Sequence, residues 1–311
     1  MPGREFLQHL SEKFSVDFAA LFLAKHILES NTNRKFEAAY RRELASARRE
    51  SGQYISPSNG QKSSYIFLFV PGWDYVSAGP ITGADFASAR KIATEMGIEN
   101  YLVNIKPTGI IEENARILAA EINHPRYAGR KIILASASSG GPVAALALGE
   151  LLSPHDVKRV NAWVNIGGIL QGSPVVDHYL SWPKSWLGRI VLLFKGWGFD
   201  SIRSMSVAES RQRFHRLNFP ENLLIVNYIG IPLSGDISKR AEHSYPILRK
   251  FGPNDGFTLI TDEMAPNSIT ITEIGRDHFF NEDPEIDLKT IALVKTILNA
   301  IQKDGALSST Q

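Results

Sequence analysis

The sequence contains no cysteine in 311 residues. That absence excludes disulfides, cysteine-based zinc sites and thiol nucleophiles, although it does not identify a compartment. Long apolar runs are also missing: nothing approaches the roughly 18 uninterrupted apolar residues of a membrane span. The opening Met1-Pro2-Gly3-Arg4-Glu5-Phe6 lacks the basic start, apolar centre and small-residue cleavage site of a secretory signal. A soluble, cytoplasmic protein is the expectation. Charge of one sign is scarce too, with 34 Lys and Arg against 32 Asp and Glu and a net charge of +2. No field for nucleic acid follows, and no nucleic-acid partner is expected. No Gly-x-Gly-x-x-Gly follows a strand, no Walker lysine exists, and no His-Glu-x-x-His spacing occurs, which argues against a nucleotide site or a metallohydrolase.

What is present is an ordinary globular composition, 43% hydrophobic and 21% charged, in a chain long enough for one large domain with an insertion. Residues 1–60 read as an N-terminal helical segment and linker. Phe6, Leu7, Leu10, Phe14, Phe18, Leu21, Phe22 and Leu28 recur at helical spacing, continued by Phe36, Tyr40 and Leu44. Arg41, Arg42, Arg48 and Arg49 make the second part basic, but Glu37, Glu43 and Glu50 interleave with them, as on a solvated face. A Gly-, Pro- and Asn-bearing stretch at 51–64 reads as a loop. From 61 to 311 the pattern alternates. Strands are expected at 65–70, 101–105, 132–135, 160–166, 223–228 and 268–274, with helices at 83–96, 111–122, 142–152 and 284–301. Alternation of this kind predicts an α/β fold with a mostly parallel central sheet and helices on both faces.

Between about 170 and 220 the alternation stops, and three of the five tryptophans fall within Ser181 to Phe199. An interval of this length between strands marks an insertion. Its aromatic and aliphatic residues, mixed with Lys184, Arg189 and Lys195, fit a lid over an apolar pocket or an interfacial segment at a membrane surface, or else a helical insertion with its own small core.

The strand at 132–135 runs directly into small residues, Ser136-Ala137-Ser138-Ser139-Gly140-Gly141, and then into an Ala- and Leu-rich helix. A strand that turns abruptly into a helix needs small residues where the backbones pass closely, and the tip here is a hydroxyl. That is the layout of a nucleophile elbow. A serine needs a base. Of eight histidines, His278 stands directly after the last strand, at the carboxyl edge of a parallel sheet, where strand-end loops open onto one crevice. The imidazole in turn needs a carboxylate. Asp255, within Pro253-Asn254-Asp255-Gly256, leads because a sharp turn presents its side chain; Asp236 and Asp262 are rivals, and Asp277 is a direct neighbour of the histidine. The order Ser138, Asp255, His278 is that of α/β-hydrolases.

On these residues the chain resembles an α/β-hydrolase of the lipase/esterase type over about 65–303. Val70-Pro71-Gly72-Trp73 resembles the family's oxyanion loop after its third strand, Leu134 to Val143 its elbow, Pro253 to Gly256 its acid turn, and Gly275-Arg276-Asp277-His278 its histidine loop. The resemblance implies a serine hydrolase of a carboxylic ester with an apolar acyl group and a helical cap at the insertion. Ser138 would be the nucleophile, His278 the base and Asp255 the orienting acid. The backbone N–H groups of Trp73 and Ser139 would form the oxyanion hole, with no cofactor and no metal. It also leaves open an acyltransferase or thioesterase on the same triad, or an inactive binding protein that keeps the pocket. One departure stands out: Ser136 occupies the place of the first glycine in Gly-x-Ser-x-Gly. A shifted frame centred on Ser139 is the alternative; Ser138 is preferred because paired glycines then follow at the usual offset. His278 to Asp283 also matches the spacing of a glycerolipid acyltransferase motif, a match attributed to chance.

Overall fold

The structure, a computed structural model, describes residues 1–50, 64–181 and 197–308. Most of the expected linker, and residues 182–196 of the aromatic insertion with Trp182 and Trp186, lie outside the described residues.

Six strands form one sheet: β1 Tyr65–Val70, β2 Glu99–Leu102, β3 Lys131–Ala137, β4 Val160–Ile166, β5 Leu224–Ile231 and β6 Ile269–Ile274. Their order is β2-β1-β3-β4-β5-β6 and every neighbouring pair is parallel. β1 shows why the core has two layers. All six of its residues are buried, and alternate side chains go to opposite faces. Ile66, Leu68 and Val70 pack with Ile132 and Leu134 of β3 against α6 (Ile111–Ile122) and α7 (Gly140–Leu146). Tyr65, Phe67 and Phe69 pack with Ile133 and Ala135 against α3 (Asn31–Arg49) and the C-terminal helix Ile286–Ser308.

The N-terminal helices lie on the sheet. α1 (Arg4–Lys13) and α2 (Val16–Glu29) place Leu7, Leu23 and Ile27 against Ile229, Ile231 and Ile260, while α3 runs along the C-terminal helix through Tyr40 and Leu44. Ser15 and Ser30 cap α2 and α3, each hydroxyl accepting a bond from an otherwise orphaned first-turn amide. Part of the basic stripe on α3 is taken up internally: Arg41 pairs with Glu37 and Glu273, and Arg48 with Glu285.

Boundaries differ from the sequence pattern where turn geometry intervenes. The helix expected at 83–96 starts only at residue 87, as α5 (Ala87–Glu95), and a separate short helix, α4 (Gly79–Thr82), precedes it. Gly83 ends α4 with φ +76°, and Phe86, at φ +55°, precedes α5 and brings its ring to 5.0 Å from that of Phe69. Periodicity does not register such a break. Among the described residues no helix is long and apolar enough to cross a membrane.

Candidate active site

β1 is followed by β2 on one side of it and β3 lies on the other, so the strand order reverses between β1 and β3. At such a reversal the loops beyond the carboxyl ends part and leave a crevice. Ser138 sits at that point, directly after β3, with φ +50°. A left-handed backbone costs a residue bearing a Cβ about 1–2 kcal/mol. Small neighbours let the surrounding fold impose it. A Cβ on Gly140 would lie 2.5 Å from the Val70 carbonyl oxygen and 2.7 Å from that of Pro71, and one on Gly141 would lie 2.7 Å from Gly168 Cα. Only hydrogen at these positions lets α7 start against the loops that leave β1 and β4.

The three side chains singled out from the sequence converge. His278 Nε2 is 3.0 Å from Ser138 Oγ, and His278 Nδ1 is 2.5 Å from Asp255 Oδ2. The hydroxyl at the imidazole belongs to Ser138; Ser139 has the ordinary helical φ of −63° and heads α7. Asp255 is fully buried, and its other oxygen accepts the amides of Phe257 at 2.8 Å and Thr258 at 2.6 Å. These bonds fix the direction of the carboxylate. The histidine loop is tied to the acid turn by the His278 amide, which donates to the Asp255 carbonyl at 2.8 Å, and the Phe257 ring stacks on the imidazole at 5.0 Å. Burial pulls the His278 pKa down, but the charge and hydrogen bond of Asp255, with the charge of Asp277, more than offset it and leave the pKa above 6.5.

The rival carboxylates are engaged elsewhere. Asp262 accepts from Arg4 at 2.5 Å, Asp277 accepts the amides of Ser238 and Phe279, and Asp236 is exposed beside Gly275. Asp283, last residue of the acyltransferase-like spacing, accepts from Lys289 at 2.6 Å. The amides of Trp73 and Ser139 donate to no acceptor among the described residues, while the flanking Gly72 and Asp74 amides bond to Ala84 and Pro107 carbonyls at 3.0 and 2.8 Å. Two unspent donors next to the Ser138 hydroxyl are free to donate to the lone pairs of an added oxygen atom.

Ser136, the position out of pattern, has a specific partner. It is fully buried, and its hydroxyl accepts the Trp163 indole N–H at 2.8 Å across β3 and β4. Glycine there would leave that buried donor without an acceptor.

Sequence reasoning missed Glu263. It is fully buried under the acid turn, and neither carboxyl oxygen has a hydrogen-bond partner among the described residues. Burial first, then the charges of Asp255 and Asp262, push its pKa well above the ordinary carboxylate value. No local pattern marks it, because its burial depends on the fold. Among the described residues no group of three or more His, Asp or Glu is arranged to hold a metal ion.

An apolar cavity of about 1040 Å³ opens onto Ser138 and His278. On one side it is lined by Trp73 and by Val176, Tyr179, Trp197, Phe199 and Met205 from the segment between β4 and β5. Trp73 and Trp197 meet edge to face at 5.9 Å.

No family model and no curated protein sequence matches the chain. Solved structures do share its architecture. A metagenomic carboxyl esterase aligns with a TM-score of 0.62 at 17% identity, over 82% of this chain and 80% of the other. The mature lipase BlEst2 of Bacillus licheniformis aligns at 0.60 and 22% identity, over 80% of this chain and 96% of that one. Staphylococcus hyicus lipase aligns at 0.60 and 12%, over 82% and 100%. At such identities the likeness is one of fold, and that fold is the α/β-hydrolase fold.

Proposed function

We propose that the protein is a serine hydrolase that cleaves a carboxylic ester with an apolar acyl group. The observation that carries this reading is the continuous line from Asp255 through His278 to Ser138, at 2.5 and 3.0 Å, at the mouth of an apolar cavity. Similarity in fold to a carboxyl esterase and two lipases is consistent with it.

In the first half-reaction the Ser138 hydroxyl passes its proton to His278 Nε2 as Oγ adds to the acyl carbon. Asp255, accepting from Nδ1–H, holds the imidazole in the tautomer with Nε2 free and stabilises the imidazolium. The Trp73 and Ser139 amides take the developing oxyanion; losing one such donor usually costs about 10²–10³ in turnover. Collapse of the tetrahedral intermediate breaks the ester C–O bond, His278 Nε2–H protonates the departing alcohol, and an acyl-enzyme remains. Water then adds with His278 again as base, releasing the acid and restoring Ser138.

A fluorophosphonate probe, which reports an activated serine without assuming a substrate, tests the assignment. It is expected to label the wild type and to spare Ser138→Ala and His278→Ala. Equal labelling of wild type and Ser138→Ala would refute Ser138 as the nucleophile.

A further inference from the structure

The cavity does not stop under the insertion. It continues below Ser138, on the sheet face opposite α7, into a second lobe between the strands and the C-terminal helix. Phe69, Ala135 and Val164 line it, and these three stand side by side across β1, β3 and β4. Phe67, one step further down the same face, also contributes. The opposite wall is Leu293, Val294 and Ile297 of the C-terminal helix, and small residues of α5, Ala87 and Ala89, form the side. Among the described residues no charged side chain lines this lower lobe; the charged residue on the cavity wall, Asp85, belongs to the segment between α4 and α5.

We infer that this lobe is the acyl-chain site, and that it selects straight chains of about eight to twelve carbons. The inference rests on the proposed esterase reading, because the chain must begin at the carbon attacked by Ser138. The length follows from the strands. Ala135 lies three residues below Ser138, and Phe67 is level with Ile133, five below. At about 3.3 Å per residue the lobe reaches about 10–16 Å. A zigzag chain with carbon–carbon bonds of about 1.5 Å advances about 1.25 Å per carbon, which sets the range. A branched or polar group does not suit a slot walled by a pleated sheet on one side and a helix on the other. The lobe beneath the insertion is then left for the alcohol portion.

Ala135 stands between Phe69 and Val164 on the sheet wall, so a larger side chain there would fill the lobe midway. Each methylene that loses its buried place should cost about fourfold in specificity. The test uses the full chain and 4-nitrophenyl esters from C2 to C16. Wild type should show kcat/KM rising with length and levelling or falling beyond about C12. In Ala135→Leu the ratio of decanoate to butyrate turnover should fall at least tenfold. Val294→Phe, which narrows the lobe from the helix side, should shift the same ratio in the same direction, and circular dichroism melts identify any variant that is unfolded. In parallel, isothermal titration of decanoate into Ser138→Ala reads the lobe without catalysis. Binding there, lost in Ser138→Ala/Ala135→Leu, is expected. If esters are cleaved but the ratio is unmoved in a folded variant, or wild-type turnover is flat with length, the lobe assignment is overturned and the esterase reading stands. If decanoate binds in the lobe but wild type cleaves no ester, the esterase reading fails and the lobe remains.

Discussion

Ser136 is the residue that departs from the usual elbow, and replacing it should cost stability. Ser136 and Trp163 are both fully buried, and the indole N–H has the Ser136 hydroxyl as its acceptor at 2.8 Å. Ser136→Ala removes the acceptor oxygen and leaves the buried indole donor unsatisfied. A buried donor left unsatisfied costs about 1–3 kcal/mol. Ser136→Gly, which restores the residue more usual at this place, adds the entropic cost of glycine inside a strand, for a total of about 1.5–4 kcal/mol. With a urea dependence near the upper end of the usual range, about 3 kcal/mol/M, Ser136→Ala should lower the unfolding midpoint by about 0.3–1 M. Equilibrium urea unfolding followed by tryptophan fluorescence and circular dichroism measures it. A double-mutant cycle with Trp163→Phe separates the hydrogen bond from packing, because removing both partners leaves no orphan donor. The loss caused by Ser136→Ala should shrink in the Trp163→Phe background. A Ser136→Gly protein as stable as wild type, or a cycle with no coupling, would refute the reasoning.

The elbow carries its own strain. At φ +50° a Cβ is unfavourable and glycine is not, so Ser138→Gly should be more stable than Ser138→Ala by about 1 kcal/mol. Neither should be labelled by the fluorophosphonate, and equal thermal midpoints would show that the turn stores no strain. The pH dependence follows from His278, whose pKa lies above 6.5 in the fold because Asp255 and Asp277 offset its burial. As a base it must be neutral, so kcat/KM should rise with pH through a midpoint above 6.5; a midpoint below that value would contradict the pairing. The stability sign is opposite. A raised histidine pKa contributes stability that is fully present below the unfolded value and is lost as pH rises through the folded one. Urea midpoints of wild type should therefore fall over that interval more than those of His278→Ala.

Much of this protein is decided by short-range chemistry and can be read from the chain. Tyr65 to Val70 is apolar at every position because a central parallel strand is buried on both faces, and Val160 to Ile166 and Ile111 to Ile122 are legible through the same link between burial and pattern. The small residues of 136–141 announce a tight strand-to-helix turn because a Cβ at Gly140 or Gly141 meets another backbone. Loops after parallel strands necessarily share an edge of the sheet, so strand order alone brings Ser138 and His278 to one edge across 140 residues of chain. Other features depend on which distant groups face each other. Four carboxylates could have served the histidine by sequence; the one at 2.5 Å is Asp255, since Arg4 from α1 engages Asp262 and backbone amides engage Asp277. Ser136 looked like a defect because its partner, Trp163, is on the neighbouring strand. The raised pKa of Glu263 comes first from complete burial and then from the charges of Asp255 and Asp262, all set by the fold. The lower lobe exists because residues of β1, β3, β4 and the C-terminal helix surround one space, and no local pattern records a space between elements. Covalent neighbours and periodicity determine strands, helices and the turn that lifts Ser138. Pairing across the sheet and packing between its faces and the helices decide what that serine meets.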